Sequence, residues 1–235
     1  MSLSCPDMIA AISPELCRAV DNYCERTDSS LWAEPVNAFS NAAFLVAAWF
    51  AWQSAARHPS YPYRVSIQIL IIVMGIVGPG SFLFHTVATR WAEWGDVIPI
   101  LVFMLLFLWL LFRCFFRWSG WLTVAALAAF FAVTFYLEVA VPGTVLWGGA
   151  LYLPTILVLI ASAAALYRVE PKAAPAMVGA TVVFLLSFTA RTLDASICTS
   201  FPLGTHFLWH CLNALLLFLL VRLVILQQTQ RAESP

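Results

Sequence analysis

Seven long apolar runs, separated by short polar segments, set the pattern of the chain. The runs contain no Asp, Glu, Lys or Arg and cover residues 35–56, 65–84, 97–112, 118–137, 139–167, 173–190 and 195–221. A helix needs about 20 predominantly apolar residues to cross a bilayer, and the runs approach or exceed that length. The pattern therefore predicts an all-α polytopic membrane protein.

Two clusters of helix-breaking residues refine the limits of these runs. Val141-Pro142-Gly143 opens the fifth run and Phe201-Pro202-Leu203-Gly204 interrupts the seventh, and both are typical of loops. We expect a seven-transmembrane helix bundle with spans at approximately 35–57, 64–86, 94–112, 118–137, 145–167, 174–191 and 204–226. Residues 1–235 would form a single membrane domain, with residues 1–34 as a segment outside the bilayer.

The composition indicates the same class of protein. Hydrophobic residues make up 62% of the 235 residues and charged residues only 10%, against about 45–50% and about 25% in soluble domains. Twelve basic and twelve acidic residues leave no net charge that would attract a nucleic acid. These values exclude a soluble globule, a disordered chain and a nucleic-acid binder. They leave the lipid bilayer as the expected partner and imply no protein partner.

The distribution of Lys and Arg predicts the orientation. The first, third and fifth loops and the C-terminal end together carry eight of these residues, whereas the other side carries four. Cytoplasmic loops of membrane proteins are enriched in basic residues. We therefore expect a multi-pass protein with a cytoplasmic C-terminus and an N-terminus in the periplasm or lumen.

Five polar side chains lie at the ends of predicted spans. Polar groups within a bilayer are energetically costly, so each is a candidate functional residue. Ser81 and His85 are four residues apart at the end of the second span, and His206 and His210 are four apart at the start of the seventh. Residues at this spacing share one helix face. With Asp96 at the start of the third span, all five fall in the non-cytoplasmic half of the membrane in the predicted topology.

This set of residue types suits metal-dependent hydrolysis. Three neutral imidazoles with an open fourth position form a typical catalytic zinc shell. Asp96 would accept and donate a proton, and Ser81 would donate a hydrogen bond to a developing oxyanion. The fourth histidine, His58, is expected in a polar loop on the opposite side. The structural alternatives are a packed histidine pair, an interhelical serine hydrogen bond and an aspartate helix cap.

The N-terminal segment carries half of the acidic residues, namely Asp7, Glu15, Asp21, Glu25, Asp28 and Glu34. Several carboxylates on a short loop suit a hard cation such as calcium. The alternative is a solvated loop with a helix start around Glu34 and Pro35. Cys24 and Cys198 are both expected outside, where an oxidising compartment would permit a disulfide between them.

Arg191 and Asp194 are three residues apart at the end of the sixth span. They would pair on one helix face. Alternatively, Asp194 would orient a metal-ligating histidine.

Together these residues resemble the alkaline ceramidase family, whose members are seven-span membrane zinc hydrolases within a superfamily that includes the adiponectin receptors. The sequence Tyr23-Cys24-Glu25-Arg26 is similar to that of a bacterial-type member. The resemblance covers most of the chain and rests on Tyr23-Cys24-Glu25, Glu34, Asn37, Ser40, Asn41, Ser81, His85, Asp96, Asp194, Cys198, His206, Trp209 and His210.

The resemblance implies a role for each matching residue. His85, His206 and His210 would bind zinc, Asp96 would transfer protons, and Ser81 would steady the oxyanion. It also implies a Cys24–Cys198 disulfide and a calcium site formed by Asp21, Asn22, Glu25, Glu34 and the backbone carbonyl of Tyr23. Two positions depart from the calcium pattern, because Asn22 stands where the family has Asp and Thr27 where it has Asn.

The predicted function is hydrolysis of the N-acyl bond of a ceramide-like membrane lipid to a fatty acid and a sphingoid base. Zinc is the expected cofactor, with calcium as a possible second metal. Two alternatives stay open at this stage. One is a hydrolase of another N-acyl or ester lipid. The other is a non-catalytic lipid sensor with structural zinc, which would need a fourth protein ligand such as Asp96.

Overall fold

The computed structural model describes residues 5–57 and 62–233. Residues 230–233 are described by their helical backbone alone. The helices, in chain order, are α1 (Asp7–Ile12), α2 (Pro35–Ser40), α3 (Ala42–Ala56), α4 (Arg64–Val87), α5 (Arg90–Cys114), α6 (Gly120–Ala140), α7 (Leu153–Val169), α8 (Ala174–Ile197) and α9 (His206–Glu233). The described residues contain no β-strand beyond one bridge between Ala19 and Thr89. The predicted all-α class is confirmed.

Six helical segments of the described chain are long and apolar enough to cross a membrane. They are α4, α5, α6, α8, most of α9, and α7 together with the turn before it, Ala150–Val169. The protein is therefore built as a membrane protein, but the count of seven spans is not confirmed. The predicted place of His58 lies outside the described residues.

The first predicted span, 35–57, is divided into α2 and α3 at Asn41. The Asn41 side-chain amide donates to the carbonyl of Asn37 over 2.9 Å, and the Ser40 hydroxyl donates to the same carbonyl over 2.8 Å. Such local side-chain bonds compete with the regular helix ladder. The 15 residues of α3 extend about 22 Å at about 1.5 Å per residue, which is short of a hydrocarbon core about 30 Å thick.

The other helix limits differ from the predicted ones mainly near the loops. The fifth predicted span was expected to begin at residue 145, but Val145–Gly148 forms a short turn in which Leu146 and Trp147 have positive φ. The α-helix proper begins at Leu153. Conversely, α8 continues to Ile197 and α9 to Glu233, each beyond the predicted end.

The last helix lies at the centre of the bundle. Of the six apolar segments α9 is the most buried, and it packs against α3, α4, α5 and α8. The inner surfaces of these helices form an apolar core with fully buried residues such as Met74, Leu111 and Val221. The polar side chains of His206, His210 and Asn213 on α9 are consequently buried between neighbouring helices.

The backbones of α4 and α5 approach closely beside the predicted site. A Cβ atom on Gly80 would collide with the carbonyl oxygen of Gly95. Only a residue without a side chain permits this contact. The crossing brings the next residue of each helix, Ser81 and Asp96, to the same place.

Candidate active site

Three histidines from two helices converge in the interior. His85 comes from the end of α4, and His206 and His210 come from the first turns of α9. The three side chains are 1–2% exposed, and one ring nitrogen of each lies within 4.8 Å of those of the other two. The ring centroids are 4.6–5.1 Å apart. The i,i+4 spacing in α9 thus directs both imidazoles to the ring of His85.

Hydrogen bonds from α2 and the residue before it orient two of these rings. The Nδ1 atom of His85 lies 2.6 Å from a carboxylate oxygen of Glu34, which only accepts, so this nitrogen carries the proton. The hydroxyl of Ser40 donates to the Asn37 carbonyl and therefore accepts from Nδ1 of His210, 2.7 Å away. In both rings the unprotonated Nε2 atom is left to face the centre.

The central nitrogens need a cation. The Nε2 atoms of His85 and His210 are 3.1 Å apart, and both present lone pairs in the tautomers that their outer partners set. The Nδ1 atom of His206 is buried and has no hydrogen-bond partner. A metal ion among the three rings could take one nitrogen lone pair from each of them. The residues therefore fit a metal site, and imidazole donors suit zinc and its neighbours among the transition metals.

Ser81 and Asp96 form a second polar pair next to the histidines. The Ser81 hydroxyl donates a hydrogen bond to the Asp96 carboxylate, which also interacts electrostatically with His85. Ser81 is 2% exposed, whereas Asp96 is only half-buried. The structure thus places a carboxylate with partial access beside the three imidazoles.

Asp194 supports the site through the backbone of α9. One of its carboxylate oxygens accepts from the amides of Thr205 and His206 over 2.6 and 2.8 Å, and the other accepts from the amide of Cys24 over 3.0 Å. Asp194 therefore acts on His206 by fixing the start of its helix. Gly204 makes this possible, because its φ is +68° and a Cβ there would collide with Asp194.

A disulfide bond joins the N-terminal segment to the region of Asp194. Cys24 and Cys198 form a disulfide, and Cys5 and Cys17 form another. The first of these joins the segment to the end of α8, four residues beyond Asp194. Sequence reasoning paired Arg191 with Asp194 as one alternative, but Arg191 instead donates to the carbonyl of Trp147 over 2.9 Å.

Tyr23 has a role that sequence reasoning missed. Its ring stacks on that of His206 with centroids 3.7 Å apart, and it lies 5.2 Å from the ring of His85. Burial raises the pKa of the Tyr23 hydroxyl well above its usual value. The neighbouring Cys24 was the available signal, since a disulfide to Cys198 draws residue 23 toward the start of α9.

Among the described residues, the carboxylates of the predicted calcium ligands Asp21, Glu25 and Glu34 do not form a group within ligand distance of one another. The Glu25 carboxylate accepts from the backbone amides of Val36 and Asn37 over 2.7 and 2.8 Å, and so fixes the start of α2. Asp21 and Asn22 are exposed. Glu34 is engaged by hydrogen-bond donors, including the guanidinium of Arg26 at 2.6 Å. The Glu25 and Glu34 carboxylates are thus both occupied by donors from the chain itself.

The charge state of Glu34 reflects its partners. Burial acts to raise the pKa of the carboxyl group, but the hydrogen bond from His85 and the charge and hydrogen bond of Arg26 outweigh burial and lower it. Glu34 is therefore a carboxylate at neutral pH, which agrees with its role as the acceptor for Nδ1 of His85.

An apolar cavity lies between the helices, beside the part of α9 that follows the histidines. Its lining includes Phe103, Phe130, Tyr152, Phe184, Trp209 and Asn213. Trp209 directly precedes His210, so the cavity is lined by the same helix that carries two of the histidines. An apolar lining of this kind suits hydrocarbon chains.

Comparison with known proteins identifies the family of the chain. A family model described as Ceramidase matches residues 18–235, which is nearly the whole chain. A search of curated proteins gives no match. The family implies hydrolysis of amide bonds in a lipid substrate. By the extent of this match, the chain belongs to the ceramidase family.

Proposed function

We propose that the chain is an intramembrane, zinc-dependent amidase that cleaves the N-acyl bond of ceramide-like lipids to a fatty acid and a sphingoid base. The observation that carries the proposal is the convergence of His85, His206 and His210, with two Nε2 lone pairs facing each other at 3.1 Å. Ser81 and Asp96 lie beside this cluster, and an apolar cavity lies along the same helix, α9.

The three histidines would hold zinc. Bound there, the ion would supply Lewis acidity toward the amide carbonyl and would activate water for nucleophilic attack. Among the described residues no Asp, Glu or Cys joins the three imidazoles within ligand distance. This leaves a position open for substrate, which favours a catalytic over a purely structural zinc site.

Asp96 acts as the proton-transfer residue. Its carboxylate accepts a proton from the attacking water and returns it to the leaving amine, so that the sphingoid base departs as a neutral amine. Its partial exposure gives it access to substrate, and its hydrogen bond from Ser81 fixes its orientation.

Ser81 responds to the charge of Asp96. A hydroxyl has one proton to donate, and in the resting site Ser81 donates it to the Asp96 carboxylate. Once Asp96 is protonated it becomes a donor to the Ser81 oxygen. The Ser81 proton is then free for the oxyanion that forms at the same moment.

The lipid would reach the site sideways from the bilayer, with its acyl chains in the cavity that includes Phe103, Phe184 and Trp209. The site would face the periplasm or lumen with the N-terminus, and the C-terminus would be cytoplasmic. The disulfides Cys5–Cys17 and Cys24–Cys198 support this orientation, since such bonds persist in oxidising compartments.

The test uses the purified full-length chain, loaded with zinc, and a fluorescent ceramide. We expect release of fatty acid by the wild type and its loss in His210→Ala and Asp96→Asn. Glu138→Gln is the matched control for Asp96, because Glu138 is an exposed carboxylate on α6. Activity that survives both site substitutions would disprove the mechanism. Another N-acyl lipid and a matched ester, assayed in parallel, identify the substrate if ceramide is not cleaved.

A further inference from the structure

The side chain of Arg26 occupies the centre of the N-terminal segment. Its Nε atom donates to Glu34 over 2.6 Å and its Nη2 atom donates to the carbonyl oxygen of His85 over 3.0 Å. Its Nη1 atom lies 3.3 Å from the carbonyl oxygens of both Asp28 and Ser30. The Arg26 side chain is 5% exposed. One buried guanidinium thus collects four oxygen atoms from three parts of the chain.

This oxygen set is of the kind that calcium prefers. Calcium in proteins is bound by carboxylates and backbone carbonyls, and here one carboxylate and three carbonyls surround a positive charge that belongs to the chain. The carboxylate is that of Glu34, on which the predicted calcium site also depended. A divalent ion at the same oxygen would face the permanent charge of the guanidinium.

We propose that the Arg26 guanidinium is the resident cation of this segment, that it takes the place of calcium, and that it holds Glu34 in position against His85. Arg26 is then a positioning residue, because it reaches the metal site only through Glu34 and the His85 carbonyl. Neither the fold of the segment nor the metal affinity of the histidines depends on calcium.

The charges near Glu34 explain why a cation is needed there. The Glu34 side chain is 3% exposed, and a buried carboxylate without a compensating charge is strongly unfavourable. His85 supplies a hydrogen bond, but it must stay neutral if its Nε2 atom is to bind a metal. Arg26 is the cation that pairs with this carboxylate, and its planar fork satisfies several acceptors at once.

The first experiment measures calcium binding by the wild type in detergent, with zinc bound. Titration calorimetry with calcium and thermal unfolding with calcium or a calcium-selective chelator are expected to show no binding heat and no shift. A ligand that binds the native state raises the unfolding temperature with its concentration. A saturable rise with calcium would therefore overturn the proposal. Neither reading depends on amidase activity, so failure of the proposed function would leave this result unaffected.

The second experiment compares Arg26→Ala with Arg18→Ala, which removes an exposed arginine from the same segment. For Arg26→Ala we expect a fall of roughly 6–20 °C in unfolding temperature, as for removal of one partner of a buried ion pair. We expect zinc affinity to fall by about 10–100-fold, as for loss of a group that orients a metal ligand. Arg18→Ala is expected to change neither quantity.

Chemical rescue separates positioning from general destabilisation. Free guanidinium at non-denaturing concentration is expected to restore zinc affinity to Arg26→Ala and to leave the wild type and Arg18→Ala unchanged. If Arg26→Ala does not fold, Arg26→Lys serves instead, and we expect a partial loss of zinc affinity because lysine lacks the planar fork. Unchanged zinc affinity in the folded Arg26 variant, or a loss that guanidinium does not restore in Arg26→Ala, would contradict the role assigned to Arg26.

Discussion

The carboxylate of Glu34 accepts a hydrogen bond from Nδ1 of His85 over 2.6 Å. This contact fixes the tautomer in which Nε2 of His85 faces the two histidines of α9. A residue that directly precedes α2 thereby sets the chemistry of a residue at the end of α4. The N-terminal segment is consequently part of the metal site.

Replacing Glu34 with glutamine tests this link. The amide oxygen of Gln can still accept from His85, but the negative charge that pairs with Arg26 is lost. We expect zinc affinity to fall by about 10-fold or more, measured by competition with a chromophoric chelator. Glu25→Gln removes a carboxylate that contacts α2 and no histidine, and equal zinc affinities in the two variants would contradict the role of Glu34.

Removal of the metal should reduce stability as well as activity. Without a cation, the Nε2 atoms of His85 and His210 face each other with two lone pairs and no proton between them, which is unfavourable. We expect a strong zinc chelator to lower the unfolding temperature and added zinc to restore it, with a shift that grows with the logarithm of the free zinc concentration. A variant with His206→Ala provides the control, because its metal site is incomplete. A chelator effect of the same size in that variant would show that the wild-type shift did not arise at the histidines.

The two disulfides should differ in their contributions. Cys24 and Cys198 are 174 residues apart, whereas Cys5 and Cys17 are 12 apart. A bond that closes a longer loop restricts the unfolded chain more, and its loss typically costs about 2–5 kcal/mol. Cys24→Ser with Cys198→Ser should therefore lower the unfolding temperature more than Cys5→Ser with Cys17→Ser. The reverse order would show that the longer link contributes little.

Much of the architecture follows from residue pattern, because apolar runs and i,i+4 spacing are local properties. The pair His206 and His210 could be placed on one face from the sequence, and the structure brings His85 to them. The break at Asn41 was not predicted, because an apolar run does not show which side chains will bond to the backbone. Arg26 was missed for a similar reason, since counting carboxylates in the N-terminal segment ignores the cation that reaches them.

Gly204 should be needed for the geometry of α9. It has a φ of +68°, and a Cβ atom there would collide with the Asp194 carboxylate that holds the amides of Thr205 and His206. Gly204→Ala is expected to lower the unfolding temperature and to weaken zinc binding. Gly179→Ala is the matched control within α8, where no atom lies near the added methyl group, and it should be neutral or slightly stabilising. Similar losses in both variants would contradict a specific role for Gly204.

The crossing of α4 and α5 offers a test of the Ser81–Asp96 pair without changing either residue. A methyl group on Gly80 would meet the carbonyl oxygen of Gly95, whereas a methyl group on Gly95 has open space around it. Gly80→Ala should push α4 and α5 apart and separate the Ser81 hydroxyl from the Asp96 carboxylate. We expect its kcat to fall by about 10-fold or more, because small displacements of catalytic groups are costly, while its zinc content stays at the wild-type level. Gly95→Ala adds a methyl group at the same crossing, but that methyl group meets no other atom, so this variant should retain activity. Equal kcat values for the two variants would mean that close approach at Gly80 does not control the catalytic pair.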